Sequence, residues 1–339
     1  MPIALRVNRQ RCGYTDQGYV QHPAGIIPLK YRLVFRLPDY TAQTRVRPMA
    51  QQIFSIVFPI FAIVLIGYVY GSLHSPDMAA VNRLNLEIFI PALVFHILSG
   101  KDFDLGAYQG LALAGAVVVL GSGLLAWPIA LLAGYKPKTF VPPMMFSNSG
   151  NMGLPLALFA FGEAAVEAAV VLFIVENSLH FSLGLKMMNW KASILGLLRI
   201  PILIATLLGL AFNILNLELP QVLSTPIEML GQIAIPLLLF ALGVRLTAVD
   251  LKDWQIGLVG ALACPVTGIL MALLITRFID LDADQFGLLL VFGALPPAVL
   301  NFMVAEKYNQ EPAKVASIVM LGNLASVAII PVTLAFVLF

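Results

Sequence analysis

Long apolar stretches separated by short polar breaks fill the chain from Met49 onward. A helix needs about 20 predominantly apolar residues to cross the hydrocarbon core of a bilayer. Because the stretches are continuous rather than alternating, they argue against a transmembrane β-barrel. The pattern predicts an all-α polytopic membrane protein with ten transmembrane helices, at residues 51–73, 77–99, 106–133, 139–161, 165–188, 194–216, 221–246, 254–278, 282–307 and 311–338.

The composition agrees with lipid as the main solvent. Of the 339 residues, 60% are hydrophobic and 11% are charged, whereas an average soluble domain has about 25% charged residues. The formal net charge of +2 gives no reason to expect a nucleic-acid partner. The two cysteines, Cys12 and Cys264, are too few for a disulfide framework or a structural zinc site. We therefore expect no metal and no cofactor.

Residues 1–48 do not share this pattern. They hold eight of the 20 Lys and Arg residues, and no apolar run among them is long enough for a signal peptide. One interpretation is a basic segment that lies on anionic lipid. The other is an unstructured leader, which is not native if the natural protein starts at Met49. In either case we expect a leader outside the membrane, followed by the ten-helix body.

Three short motifs occur twice in the same order. The letters FPIFAIVLIG around Pro59 correspond to IPILIATLLG around Pro201, and IFIPALVF corresponds to IAIPLLLF. A Pro pair within VPPMMFSN corresponds to another within LPPAVLNF. These matches divide the body into two repeats, at 49–190 and 191–339. Since five helices is an odd number, the repeats would be inverted relative to each other in the membrane.

The fourth and ninth stretches are interrupted near their middles. A Pro pair breaks a helix because Pro donates no backbone hydrogen bond and clashes with the preceding turn. Unwound backbone at bilayer depth must be buried or line a wet cavity, and interrupted helices at matching repeat positions indicate a transporter substrate site. A proline-kinked packing helix is the alternative. The predicted helix-break residues are Pro142, Pro143, Gly150, Gly153, Pro296 and Pro297.

Amide and hydroxyl side chains cluster at these breaks and in the stretch that follows each of them. An amide donates two hydrogen bonds and binds a carboxylate without the burial of a cation. Glu176 and His180 lie on nearly one face of the fifth stretch, where they would either pass a proton or pair to join helices. The predicted substrate-binding residues are Asn148, Ser149, Asn151, Asn177, Asn301 and Asn323.

The distribution of Lys and Arg predicts an orientation. If the body begins outside the cytoplasm, ten basic residues flank the cytoplasmic loops, and Lys101 and Arg277 lie on the opposite side. The positive-inside rule then places both ends of the body outside the cytoplasm. The ten are Arg83, Lys136, Lys138, Lys186, Lys191, Arg199, Arg245, Lys252, Lys307 and Lys314.

The letters SNSGNMGLPL, the second Pro pair, PALVFHIL and the five-plus-five repeat resemble the auxin efflux carrier family. That family includes the plant PIN-formed auxin exporters and bacterial carriers of malonate and other organic acids. The resemblance covers residues 49–339, and it implies that the two broken helices cross to form the substrate site. It also implies an elevator-like cycle, in which stretches 3, 4, 5, 8, 9 and 10 move against a scaffold of stretches 1, 2, 6 and 7.

The same resemblance has consequences outside the crossing. Asp102 resembles an acidic position that is tied to the transport cycle in the plant carriers, and the scaffold helices would form a homodimer. The chain departs from the family in two ways. It lacks the long cytoplasmic loop of many plant members, and its leader has no family counterpart.

These observations predict a secondary carrier for a small organic anion in the bacterial inner membrane. Half-helix N-termini favour anions. Because no Lys or Arg lies near the centre of a stretch, amides and backbone alone would bind the carboxylate, which favours a monocarboxylate or a weakly held dicarboxylate. The coupling ion would be H⁺ or Na⁺, with Glu176, His180 and Asp102 as candidate coupling residues. A channel and a ligand sensor are alternative functions, and the sequence shows no enzyme motif.

Overall fold

The computed structural model describes residues 21–22, 25–26, 48–100, 103–190, 200–248 and 252–339. The chain divides into two compact units, Met1–Arg47 and Pro48–Phe339. In the first unit, strands β1 (Gln21–His22) and β2 (Gly25–Ile26) pair in the antiparallel direction. The proposed role of the leader stays a prediction.

The described part of the second unit is helical. Several of its helices begin where the sequence provides a start signal: Pro occupies the first helical position of three of them, where its missing N–H has no effect. The helices are α1 (Met49–His74), α2 (Ala79–Leu98), α3 (Gln109–Leu132), α4 (Pro137–Met145), α5 (Ser149–Phe161), α6 (Ala165–Met188), α7 (Pro201–Ile214), α8 (Gln221–Arg245), α9 (Trp254–Ile275), α10 (Ala283–Ala294), α11 (Leu300–Lys307) and α12 (Pro312–Leu338).

The lengths of the described helices agree with a polytopic membrane protein. Seven of them, α1, α2, α3, α6, α8, α9 and α12, are long and apolar enough to cross a bilayer. The fourth and ninth predicted stretches are each divided into two helices, α4 with α5 and α10 with α11. The count of ten spans and the inversion of the two repeats stay predictions.

The helices of the body pack in two groups. Helices α1, α2, α7 and α8 form a first group, and α3, α4, α5, α6, α9, α10, α11 and α12 form a second group. Glycines bring the backbones together in both: Gly243 of α8 faces the Val64 carbonyl of α1, and Gly268 of α9 faces the Gly293 carbonyl of α10. A Cβ at either position would overlap that carbonyl. Such small residues are a common means of close helix packing in membranes.

Three of the helices contain a five-residue π-helical turn. These turns are Asn85–Phe89 in α2, Ser149–Gly153 at the start of α5, and His180–Gly184 in α6. A π-turn leaves the backbone ladder locally irregular and is frequent at functional sites. All three turns contribute residues to one cavity, which is described next.

Candidate functional site

Two helix breaks meet in the second helix group. Helix α4 ends at Met145 and α10 ends at Ala294, and each is followed by a short extended segment. The second break contains the predicted Pro296 and Pro297, whereas Pro142 and Pro143 lie inside α4, so the first break begins later than the Pro pair predicts. Each Pro removes one hydrogen bond to the preceding turn, and the helix nevertheless continues to Met145.

The two breaks satisfy each other through backbone hydrogen bonds. The Asn148 N–H donates to the Pro296 carbonyl at 2.7 Å, and the Ala298 N–H donates to the Phe146 carbonyl at 2.9 Å. Between these bonds, Ser147 lies opposite Pro297 in an antiparallel bridge. Unwound backbone in a membrane protein needs such internal partners. The two interrupted helices therefore touch at their breaks.

Three buried asparagines hold this crossing together. The Asn148 side-chain nitrogen donates to the Asn323 side-chain oxygen at 2.8 Å. Asn323 in turn donates to the Pro297 carbonyl at 3.0 Å, and Asn301 donates to the Phe146 carbonyl at 2.8 Å. Each bond joins one break to a different element. Much of the hydrogen-bonding capacity of these amides is thus already used within the protein.

A cavity of about 120 Å³ lies beside the crossing, between the two helix groups. The first group provides residues of α2, α7 and α8, and the second provides the first break, α5, α6 and the start of α11. Most of the wall is apolar, as in other small-molecule sites with a few placed polar groups. The polar and charged lining residues are Asn82, Asn85, Ser147, Asn148, Ser149, Asn151, Glu176, Asn177, His180 and Arg245.

The predicted site residues fall into two sets. Asn148, Ser149, Asn151 and Asn177 line the cavity, together with Gly150, Glu176 and His180. Asn301 and Asn323 are buried at the crossing and are not among the lining residues. Gly153 packs against the Leu295 side chain. Asp102 lies outside the described residues. The role of each as a substrate or coupling residue stays a prediction.

Three polar atoms in the cavity wall lack a hydrogen-bond partner among the described residues. They are Glu176 Oε2, Ser147 Oγ and Asn85 Oδ1. Buried polar atoms are nearly always paired, and an unpaired one costs about 1–3 kcal/mol. Glu176 comes from α6, Ser147 from the first break and Asn85 from α2. Their convergence on one cavity from three elements is typical of a site that receives a polar ligand or water.

Glu176 and His180 do not pair with each other. The His180 ring stacks on Phe146 with centroids 4.1 Å apart and an angle of 6° between the planes. In the described part of the chain, no side-chain hydrogen bond or ion pair joins the two residues, although the His180 N–H donates to the Glu176 backbone carbonyl. The two side chains still lie on one face of α6 and both line the cavity, but the His180 ring is directed to Phe146 rather than to the carboxyl group. The Glu176 carboxyl group also accepts hydrogen bonds from the Ser149 side chain and the Ser147 backbone, so its Oε2 atom is the part that can interact with an occupant of the cavity.

Outside the first break, the sequence argument missed three polar or charged lining residues. Asn82 and Asn85 are three apart on α2, which places them on one face, and Arg245 continues the stripe of Leu238 and Ala241 along α8. In both helices, the spacing of three or four residues could have shown from the sequence that these side chains share a face. Arg245 was counted as a loop residue because it ends its helix. The expectation that no cation reaches the site is therefore wrong, since Arg245 lines the cavity.

Comparison with known proteins places the whole body in one family. The sequence profile of a family described as "Membrane transport protein" matches residues 52–196 and 190–334. A Rhizobium meliloti protein named "Putative malonate transporter" is 27% identical over 300 residues, which cover 82% of this chain and 93% of the relative. An uncharacterized transporter of Methanothermobacter thermautotrophicus is 26% identical, over 81% of this chain and 95% of its own length. The uncharacterized transporter YfdV of Escherichia coli is 22% identical, over 75% and 87%.

Proposed function

The chain belongs to the membrane transport protein family, the family of the auxin efflux carriers, and on that premise we propose that it is a secondary transporter for a small organic carboxylate. The observation that carries this proposal is the polar-lined cavity beside two touching helix breaks. A relative whose printed name refers to malonate supports a carboxylate as the substrate class.

The cavity wall has suitable groups for a carboxylate. Asn151 lines the cavity and its side chain makes no hydrogen bond to another described residue, so both of its amide donors are available. Helix α5 begins at Ser149 and α11 begins at Leu300, and both of these residues line the cavity. Helix N-termini carry free N–H groups and a partial positive charge, which favour anions. We propose that Asn148, Ser149, Asn151 and Asn177 contact the substrate.

Alternating access would follow from the position of the cavity between the two helix groups. The crossing belongs to the second group and is held by backbone and amide hydrogen bonds, so it would move as one rigid unit. A shift of the second group along the first would carry the substrate across the membrane in an elevator-like cycle. In this cycle, Asn301 and Asn323 would keep the crossing intact rather than bind the substrate.

Glu176 is the candidate for proton coupling. Its unpaired oxygen faces the same cavity that would receive the anion, and two negative charges at short range repel each other. Proton binding to Glu176 and anion binding would therefore favour each other, and such coupling is reciprocal. Under this proposal, one proton accompanies each substrate. His180 has a different role, because its ring stacks on Phe146 and so positions that end of the first break.

The proposed orientation in the membrane rests on the distribution of Lys and Arg along the sequence. The Lys and Arg distribution favours a body with both ends outside the cytoplasm, in the cell membrane of a bacterium. The family resemblance favours a homodimer through α1, α2, α7 and α8. Cysteine labelling from each side of the membrane at Lys101 and Lys307 would test the orientation, because the two positions should be accessible from opposite sides.

Uptake into proteoliposomes tests the function. With malonate and acetate as probes, we expect saturable uptake that increases when the side of addition is acidic. Asn151→Ala should weaken the apparent affinity about 10- to 100-fold, since it removes hydrogen bonds to a charged group. The control is Ser122→Ala, a buried residue of α3 outside the cavity. Flux that does not saturate would indicate a channel, and binding without flux would indicate a sensor.

A further inference from the structure

Arg245 is a cation in the cavity wall, and its side chain has no partner among the described residues. It is the last residue of α8, and it is half-buried. Leu238, Ala241 and Arg245 follow one another at helical spacing and all three line the cavity. Within the described part of the chain, the Arg245 side chain makes no hydrogen bond and no ion pair. Its positive charge is therefore available to a ligand.

The free-energy cost of an unpaired Arg side chain in the cavity wall indicates a ligand with a negative charge. A charged group withdrawn from water is unfavourable unless it is paired, and ionisable residues within membrane helices usually mark substrate or ion pathways. Glu176 is the one acidic side chain among the described lining residues, and no ion pair joins it to Arg245. The two residues come from opposite helix groups, and both line the cavity.

The guanidinium group suits a carboxylate in particular. It is planar, it stays charged at every physiological pH, and its fork of N–H donors matches the two oxygens of a carboxylate. The amides of the first break and the N-terminus of α5 already provide one anion-binding end of the cavity. Arg245 provides another from the facing helix. Two such ends match a molecule with two carboxylates.

The size of the cavity and the difference between the two halves of the body agree with a substrate that has two carboxylates. About 10–15 Å³ is enough to hold one water molecule, so a cavity of about 120 Å³ has room for a short dicarboxylate and some water. In the sequence match that pairs Pro91 with Pro236, the position of Arg245 corresponds to Gly100 in the first half of the body. The second anion-binding end therefore exists in one half only.

We propose that Arg245 binds the second carboxylate of a short dicarboxylate substrate and thereby selects diacids over monoacids. This inference rests on the proposed transport of carboxylates and deepens it. It replaces the expectation that amides and backbone alone hold the substrate. One carboxylate lies at Asn148, Ser149 and Asn151, and the other lies at Arg245.

A comparison of malonate with monomethyl malonate tests the assignment in proteoliposomes. The two probes share a carbon skeleton, but the ester has a single charged carboxylate. The protein should take up malonate with an apparent affinity at least tenfold higher than that for the ester. Arg245→Gln should weaken the malonate affinity about 10- to 100-fold and change the ester affinity less than about twofold. Arg245→Lys should lie between the two, because it keeps the charge without the fork.

Arg83→Gln is the matched control. Arg83 lies on α2 beside the lining residue Asn82, but it is exposed and pairs with Glu87 at 3.0 Å. This variant should retain the preference for malonate. In a thermal-shift measurement on detergent-solubilised protein, the unaltered protein and the variants should rank in the same order of malonate affinity as in transport. This measurement separates a loss of binding from a loss of insertion or folding.

The outcomes separate this inference from the function on which it rests. If Arg245→Gln weakens malonate and the ester equally, or leaves malonate unchanged, the assignment of Arg245 is wrong and carboxylate transport stands. If the unaltered protein neither binds nor transports any carboxylate probe, both proposals are wrong. A preference for diacids that disappears in Arg245→Gln alone supports the assignment.

Discussion

Asn148 donates a hydrogen bond from its side-chain nitrogen to the side-chain oxygen of Asn323, over 2.8 Å. The bond connects the first helix break to the middle of α12, and both residues are buried. Asn323 also donates to the Pro297 carbonyl in the second break. One pair of amides therefore holds both breaks against α12. The residues that resemble a substrate site by composition are also the residues that keep that site in shape.

Replacement of Asn323 should reduce stability more than it reduces substrate affinity. Asn323→Ala leaves the Asn148 amide and the Pro297 carbonyl without a partner, which costs about 1–3 kcal/mol. Asn148→Ala should have a similar effect, and the double variant should lose less than the sum because the two residues share one bond. Thermal unfolding in detergent measures this. Asn151→Ala is the contrast, since it should retain stability while it weakens transport. Additive losses would show that the pair is not coupled.

A disulfide should form across the two breaks. Ser147 and Pro297 face each other in an antiparallel bridge, and Cα atoms in such pairs lie about 4.5–5.5 Å apart, within the range of a disulfide. Ser147→Cys with Pro297→Cys should therefore cross-link on mild oxidation, in a chain that lacks Cys12 and Cys264. Counting alkylated thiols after denaturation in detergent measures the bond. Either cysteine alone should stay fully alkylated, and two free thiols in the double variant would contradict the crossing.

Stability should depend on an acidic group at the start of α12. Although partial burial raises the pKa of Glu311, hydrogen bonds from Lys314, Thr139 and Lys136 lower it from 4.5 to about 2. The Thr139 hydroxyl donates at 2.6 Å, and this bond joins α4 to α12. Because the pKa is lowered in the folded state, the stabilisation is present above about pH 4.5 and is lost as the pH falls towards 2.

Glu311→Gln tests this dependence. The side chains of Lys136 and Lys314 are 70% and 40% exposed, so solvent screening limits the effect to about 1 kcal/mol at neutral pH. The difference in unfolding temperature between the unaltered protein and the variant should shrink as the pH falls from 5 to about 2. Glu163→Gln, at an exposed position, is the control. A difference that stays constant with pH would contradict the role of Glu311.

The sequence located the breaks and much of the cavity wall because proline and asparagine have strong local effects. The Pro pairs predicted two interruptions, and the structure has both, although the first begins after Met145. The sequence could not show whether an amide donates to a ligand or to backbone, and Asn301 donates to the Phe146 carbonyl. It also could not show that the His180 ring stacks on Phe146 rather than pairing with Glu176. Such partners depend on tertiary packing, which spacing alone does not fix.

Close contact between α9 and α10 should stabilise the second helix group. Gly268 lies against the Gly293 carbonyl, and a Cβ there would overlap the oxygen. Since backbone has no flexible end to move aside, Gly268→Ala should push the helices apart and cost about 1–3 kcal/mol. Leu270→Ala on the same helix is the control, because Leu270 is 53% exposed on a surface that would face lipid. Thermal unfolding in detergent compares the two. If Gly268→Ala unfolds at the same temperature as the unaltered protein, the two backbones are not in contact. If both variants lose stability equally, the effect comes from helix α9 itself rather than from its contact with α10.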